Sequence, residues 1–237
     1  MFPLCGTSLA DAAIAQVTPG AVDPDGKILA IGTLSADTLQ ASLDLPVKKS
    51  GRTSGLTRGR VAGLNATVSV GYSDECAGAS FTTTFTGQIL VSPGKFIKSG
   101  DSGSLMVEDV ATNPRAVGLL YAGSKRIAVA NPIDDVLNYF DVSMVGVPGA
   151  GGAGASASGP GASAQGLENA AQAQVKHGVA LMNVPGAVGH AIGLGNGACP
   201  VVRVLVDKIT PAAQQAAPRN VDGVPVVLWE VGVITAY

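Results

Sequence analysis

The run Gly100-Asp101-Ser102-Gly103-Ser104 decides how this sequence is interpreted. Glycines on both sides of Ser102 remove Cβ clashes, so the backbone can turn sharply and hold the hydroxyl outward. Such a turn also lets the backbone N–H groups of Gly100 and Ser102 point into one small volume, as stabilisation of an oxyanion requires. The apolar run Leu105-Met106-Val107 then returns the chain into a strand. The five residues predict a serine nucleophile, although their composition is also typical of an ordinary hairpin turn.

The composition around this turn favours a mostly β chain. Hydrophobic residues make up 46% of the 237 residues, aromatic residues only 4%, and there are 32 glycines. Short strands rich in small and β-branched residues, joined by glycine turns, fit these values better than a helical bundle does. With 14% charged residues and a net charge of −2, the sequence predicts no nucleic-acid partner and no membrane partner.

A stretch of small residues divides the sequence. Residues 146–166 contain almost only Gly, Ala, Ser and Pro, which is typical of a flexible linker. Its glycines match a dinucleotide-binding fingerprint, but no helix pattern follows them, so we expect no cofactor. Before the linker, residues 1–145 show apolar runs between turn signals and a short closing helix. After it, residues 167–237 predict the order α-β-β-α-β, a small open sheet with helices on one side.

Further segments extend the pattern set by the Ser102 turn. These are Gly51-Arg52-Thr53-Ser54-Gly55-Leu56-Thr57, Val117-Gly118-Leu119-Leu120-Tyr121-Ala122-Gly123-Ser124 and residues 128–133. In order and spacing they resemble the second half of the bacterial trypsin-like serine peptidases, which have the chymotrypsin fold. The resemblance implies a trypsin-like β-barrel in residues 1–145, the C-terminal barrel of that fold, with the first barrel largely missing. Residues 167–237 resemble the small α/β domain that usually precedes such peptidases.

The resemblance also implies roles for individual residues. Ser102 would be the nucleophile, with oxyanion donors from the backbone of Gly100 and Ser102. Tyr121, Ala122 and Gly123 would form the strand edge along which a polypeptide substrate pairs. Asp11 resembles the triad aspartate at the start of an apolar strand, where it would orient the histidine; it is also typical of a helix or strand cap. The function implied is peptide-bond hydrolysis through an acyl-enzyme, and the alternative is a non-catalytic peptide-binding remnant.

The histidine that this chemistry requires is missing from its expected place. Only ten residues precede Asp11, and the two histidines of the chain, His177 and His190, both follow the linker. Each fits a satisfied surface or sheet histidine better than a catalytic base. We therefore expect a fragment of a longer gene, with the missing first barrel as a partner, and near inertness of the chain alone.

Other classes of site find little support. No acidic residue stands at the specificity-pocket position implied by the resemblance, within Lys95–Ser99, so a preference for basic substrate residues is unsupported and a modest apolar preference is expected. Cys5, Cys76 and Cys199 lack the paired spacing of a metal site, so we expect no metal and at most one disulfide. The cluster of basic residues from Lys48 to Arg60 predicts a solvated loop. The sequence leaves the cellular compartment open.

Overall fold

The structure, a computed structural model, describes residues 7–73, 80–149 and 163–237. The strands before the predicted linker are β1 (Thr7–Ser8), β2 (Lys27–Ile28), β3 (Gly32–Thr33), β4 (Pro46–Gly51), β5 (Gly55–Tyr72), β6 (Phe81–Ser92), β7 (Leu105–Glu108), β8 (Ala116–Gly123) and β9 (Ala128–Pro132). A 3-10 helix spans Gly94–Phe96, and helix α1 spans Ile133–Phe140. After the linker come α2 (Ala164–Met182), β10 (Ala187–Leu194), a 3-10 helix (Asn196–Ala198), β11 (Pro200–Val206), α3 (Pro211–Ala216), β12 (Asn220–Val221), β13 (Val224–Glu230) and β14 (Thr235–Ala236).

Six antiparallel strands close into a barrel. The pairing runs from β4 through β5, β6, β9, β8 and β7 and returns to β4. Each strand places at least one side chain in a shared buried cluster, which includes Val47, Val61, Val91, Met106, Leu120 and Ala128. Alternation along each strand sends these residues inward, and the pairing of β4 with β7 closes the sheet. The expectation of a mostly β fold built on a β-barrel is confirmed.

The long strand β5 joins the barrel to the second region. Two separate strands are predicted here, at Arg60–Ala62 and Ala66–Tyr72, but the structure has one strand with three register shifts against β6. Asn65 lies between the two predicted runs with a φ of 48°, so the chain bends there without leaving the sheet. On its other side the same bend pairs with β10.

The second region has the predicted helices and three longer strands in the predicted order, together with two short strands, β12 and β14, that were not predicted. Its helices lie on one face of its strands. Ala170 and Leu181 of α2 and Ala213 of α3 share a buried cluster with strand residues such as Val202. The opposite face of β10 and β11 packs with barrel residues in another cluster. One sheet thus runs through both regions by way of the β5–β10 pairing.

Parts of the predicted organisation lie outside the described residues. Residues 150–162 of the predicted linker are among these, and helix α2 begins at Ala164, inside the linker's predicted bounds. The division into 1–145, 146–166 and 167–237 stays a prediction. Cys5 and Cys76 also lie outside the described ranges. Within those ranges, no helix is long and apolar enough to cross a membrane, and no group of three or more potential metal ligands comes together.

Candidate active site

The turn that carries Ser102 lies between the 3-10 helix at Gly94–Phe96 and strand β7. Gly100 and Gly103 have φ values of 92° and 81°, which residues with a Cβ rarely adopt. A Cβ at Gly100 would lie 2.6 Å from Thr53 Oγ1, so glycine is also required there for space. Ser102, between them, is exposed at the protein surface.

The neighbouring Asp101 points the other way, into a buried polar cluster. Lys49 Nζ lies 3.0 Å from Asp101 Oδ2, and both side chains are fully buried. The same carboxylate accepts hydrogen bonds from the backbone N–H groups of Thr53, Ser54 and Lys98 and from the Ser54 hydroxyl. Burial alone would raise the pKa of Asp101, but the hydrogen bonds from Ser54 and Lys49 hold it well below its ordinary value. Asp101 is thus an anion anchored on its inner side, which fixes the backbone of the turn.

Lys49 corrects one of the sequence predictions. Lys48 and Lys49 were expected in a solvated loop, but both lie in strand β4 and are buried. Lys49 also donates to Ser54 Oγ and to the carbonyl of Gly55. Its three donor positions therefore all meet acceptors, which is the condition under which a cation can be buried.

Only some backbone N–H groups of the Ser102 turn donate hydrogen bonds within the protein. The N–H groups of Asp101, Gly103 and Ser104 donate to the carbonyls of Lys98, Leu120 and Asp101. By contrast, no acceptor within the described ranges takes the N–H of Gly100 or of Ser102. Within the described ranges, the two predicted oxyanion donors, the N–H groups of Gly100 and Ser102, therefore have no intramolecular acceptor.

The Ser102 hydroxyl lies against the end of strand β8. Its Oγ is 3.1 Å from the carbonyl oxygen of Tyr121 and within hydrogen-bonding distance of the carbonyl oxygen of Tyr237. Tyr121, Ala122 and Gly123, the predicted substrate-binding edge, are the last three residues of β8. On one side this edge pairs with β9, and on the other it pairs with β14.

Asp11 does not open a strand as expected, because residues 9–18 have no regular structure. Asn131 fixes its backbone instead: Asn131 Oδ1 accepts from the Asp11 N–H, and Asn131 Nδ2 donates to the Asp11 carbonyl at 2.7 Å. The Asp11 carboxylate accepts a hydrogen bond from the Tyr72 hydroxyl. Burial, with the Asp11 charge beside it, raises the pKa of Tyr72 above its ordinary value. Asp11 therefore makes no direct hydrogen bond to Ser102 within the part of the chain that the structure describes.

Neither histidine joins the Ser102 turn. His190 lies in β10, and its Nδ1 is 2.8 Å from Gln174 Nε2. Burial lowers the pKa of His190 to about 4, so this ring is neutral at physiological pH. His177 lies on α2 with its Nε2 3.1 Å from Asp222 Oδ2. His190 thus has a hydrogen-bonding partner, and His177 lies within ion-pair distance of Asp222 without a hydrogen bond at its Nε2. The described residues bring no base to Ser102.

Two features of this site were missed by sequence reasoning. One is the Lys49–Asp101 pair, whose only sequence signal is the adjacent pair Lys48-Lys49, in a segment that was predicted to be a solvated loop. The other is Tyr237, which reaches Ser102 although 135 positions separate them in the sequence. No sequence pattern near Tyr237 predicts that contact.

No family model and no functionally characterised protein sequence matches the chain. Solved structures, by contrast, match part of the chain. A chymotrypsin of Cellulomonas bogoriensis matches at 23% identity and a TM-score of 0.37, over 48% of this chain and 56% of that one. A glutamic acid specific serine protease, which uses a histidine triad in substrate binding, matches at 21% identity and a TM-score of 0.40, over 53% of this chain and 63% of that one.

Protease A of Thermobifida fusca is similar at 23% identity and a TM-score of 0.36, over 49% of this chain and 56% of that one. The chain thus spans less than two thirds of the length of each of these proteins. Likeness at this level does not assign the chain to a family.

Proposed function

We propose that this protein is the nucleophile-bearing half of a serine endopeptidase, and that the histidine base comes from outside this sequence. The observation that carries the proposal is the Gly100–Ser104 turn. Its Asp101 is locked inward by Lys49, while the Ser102 hydroxyl is exposed beside two backbone N–H groups that no described residue engages. A hydroxyl on a fixed turn and nearby backbone donors are two of the three elements that attack on a carbonyl requires, and the third is a base.

In the proposed reaction, Ser102 Oγ attacks the carbonyl carbon of a peptide bond while the base accepts the hydroxyl proton. The carbonyl oxygen becomes negative and accepts hydrogen bonds from the N–H groups of Gly100 and Ser102. The C–N bond then breaks as the base gives its proton to the leaving amine, and an acyl group remains on Ser102. Water, deprotonated by the same base, releases the acid and restores the hydroxyl.

The polypeptide substrate pairs with the edge formed by Tyr121, Ala122 and Gly123 in this proposal. Asp11 orients the incoming histidine, and the hydrogen bond from Tyr72 holds the Asp11 carboxylate in place. A first barrel is the partner that would carry the histidine. Without that base, kcat falls by about 10⁶-fold in enzymes of this kind, so the chain alone should turn over hardly any substrate.

A second candidate is a peptide-binding protein that does not cut. The observation in its favour is that the edge of β8 pairs with an extended segment, while His190 pairs with Gln174 and His177 lies beside Asp222, away from Ser102. Addition of a strand to a sheet edge is a common mode of peptide binding and needs no catalytic group.

Free imidazole, supplied in place of the missing base, separates the two candidates. The assay follows acyl transfer from an activated ester of N-acetyl-tyrosine, with and without imidazole, for the wild type and for Ser102→Ala. The Ser73→Ala variant is the matched control, since Ser73 is an exposed serine at the end of β5. We expect the imidazole-dependent rate of the wild type and of Ser73→Ala to exceed that of Ser102→Ala by about tenfold. A positioned base contributes roughly 10²–10⁴-fold, and free imidazole is not held in place. Equal rates for all three proteins would leave only the binding candidate.

A further inference from the structure

The strand that pairs with the edge of β8 is β14, which belongs to the same chain. In β14, Thr235 stands opposite Gly123 and Ala236 stands opposite Ala122, in antiparallel register. The N–H of Tyr237 then donates to the carbonyl of Tyr121 at 3.2 Å. The segment from Thr235 to Tyr237 thus occupies the edge along which an extended substrate would pair.

The direction of this segment is that of a peptide presented for attack. Because β14 runs antiparallel to β8, its residues lead toward the nucleophile turn, and the carbonyl that reaches Ser102 Oγ is that of Tyr237. The residues on the amino side of that carbonyl are the ones paired with β8. A peptide held in this way has its acyl side along β8 and its last carbonyl oxygen at the Ser102 hydroxyl, which donates a hydrogen bond to it. The N–H groups of Gly100 and Ser102 do not bind this oxygen, so the segment occupies the acyl side of the cleft without being positioned for attack.

The side chain of Tyr237 fills an apolar pocket beside the turn. Its ring packs against the buried cluster that contains Phe96 and Ile97. Gly123 makes room for it, because a Cβ there would lie 2.9 Å from Ile97 Cγ2 and 3.1 Å from Tyr237 Cε2. Phe96 and Ile97 are 0% and 2% exposed, so the wall of the pocket offers hydrocarbon rather than charge to the ring.

The residues just before the segment tether it firmly. Ile234 is 1% exposed and belongs to the core cluster shared by the barrel and the second region. Its carbonyl accepts a hydrogen bond from the N–H of Gly71 at 3.0 Å. A segment anchored next to its binding site has a high effective concentration there and competes strongly with a free peptide.

We infer that the segment Thr235–Tyr237 is an internal competitor for the acyl side of the cleft, and that the cleft takes peptides with a large aromatic residue at the attacked carbonyl. The hydrolysis of such peptides rests on the proposed function, whereas their binding does not. Displacement of the segment is then a condition for activity, in addition to the supply of a base.

The test uses the peptide Val-Ile-Thr-Ala-Tyr, which copies residues 233–237, with a fluorophore on its amino end. Fluorescence anisotropy gives its apparent Kd for the full chain and for two variants, Tyr237→Ala and Tyr237→Gln, which both remove the ring. If the segment fills the cleft in most molecules, both variants bind the peptide about tenfold more tightly than the wild type, or better. Tyr139→Ala is the matched control, because Tyr139 is 80% exposed on α1, and it should bind as the wild type does. Equal Kd values for all four proteins would overturn internal competition.

The preference for an aromatic residue is tested on the same Tyr237→Ala protein. Peptides that end in alanine or lysine instead of tyrosine should bind about tenfold more weakly, which is the loss expected when an aromatic ring leaves an apolar pocket. Equal affinity for the three peptides would overturn the preference.

Adding Ser102→Ala separates this inference from the proposed function. Peptide binding should persist in Ser102→Ala, because the hydroxyl is not needed for strand pairing. Tight binding without any Ser102-dependent ester turnover would refute catalysis and keep the internal competitor. Ser102-dependent turnover that is unchanged in Tyr237→Ala would support catalysis and refute the internal competitor.

Discussion

Replacement of Lys49 by methionine tests how the nucleophile turn is held. Methionine fills a similar volume, so the change removes the charge and its hydrogen bonds without opening a large cavity. The Asp101 carboxylate then stays buried without its cation. Removing one partner of a buried ion pair costs about 3–5 kcal/mol. Asp101 keeps four other hydrogen-bond donors, from Thr53, Ser54 and Lys98. We therefore expect Lys49→Met to lower the free energy of unfolding by about 3 kcal/mol, the lower end of that range.

Urea unfolding at neutral pH measures this loss directly. The midpoint should fall while the slope stays constant, since the surface exposed on unfolding does not change. In a thermal scan the same loss corresponds to a fall in Tm of roughly 6–12 °C for a chain of this size. Lys95→Met is the matched control, because Lys95 is exposed just before the same turn, and it should change stability by less than about 0.5 kcal/mol. A loss below about 1 kcal/mol for Lys49→Met would refute the reasoning.

The dependence of this effect on pH has a definite sign. The folded pKa of Asp101 lies below its ordinary value of 3.8, so ionised Asp101 stabilises the fold fully above that value. This stabilisation is lost as the pH falls from there toward the folded pKa. The difference between wild type and Lys49→Met should therefore shrink below about pH 4, because a protonated carboxyl needs no cation.

Two further predictions concern stability. Burial lowers the folded pKa of His190 from 6.5 to about 4, so neutral His190 stabilises the fold above pH 6.5, and about 3 kcal/mol is lost as the pH falls toward 4. Urea midpoints across this range should show that slope in wild type and in His177→Gln but not in His190→Gln; a slope that survives His190→Gln would contradict the assignment. Gly100→Ala should cost about 2–3 kcal/mol, because it combines a φ of 92° with a contact to Thr53 Oγ1, whereas Gly103→Ala, with no atom within 4 Å of its Cβ, should cost about 1 kcal/mol. Equal losses in the two variants would show that the contact is not limiting.

Features of the fold that depend on local sequence pattern could be predicted from the sequence. The glycines of the Ser102 turn and the helices and longer strands of residues 167–237 follow from turn chemistry and periodicity, and the structure has them, whereas the short strands β12 and β14 were not predicted. Most strands before residue 145 were also predicted, although one bent strand, β5, was expected to be two, and β4 lies where a solvated loop was expected.

What depends on distant partners could not be predicted in the same way. Lys49 pairs with Asp101, which lies 52 positions away, and a lysine run gives no sign of which side chain is buried. Asp11 was expected at the start of a strand because it resembles the triad aspartate of the trypsin-like peptidases, but Asn131 fixes its backbone from 120 positions away. The burial of Tyr237 against the barrel likewise follows from how the second region packs and from no pattern in its own neighbourhood.

The most direct test of the central claim is where a fluorophosphonate reacts on the wild-type chain in the presence of imidazole. Digestion with trypsin releases residues 99–115 as one peptide, which contains Ser99, Ser102 and Ser104. Fragmentation of that peptide in a mass spectrometer locates the adduct. The proposed function predicts a single adduct on Ser102 that forms faster with imidazole, and the internal competitor predicts that it forms faster again in Tyr237→Ala. An adduct spread over all three serines, or none above the level of Ser102→Ala, would contradict it.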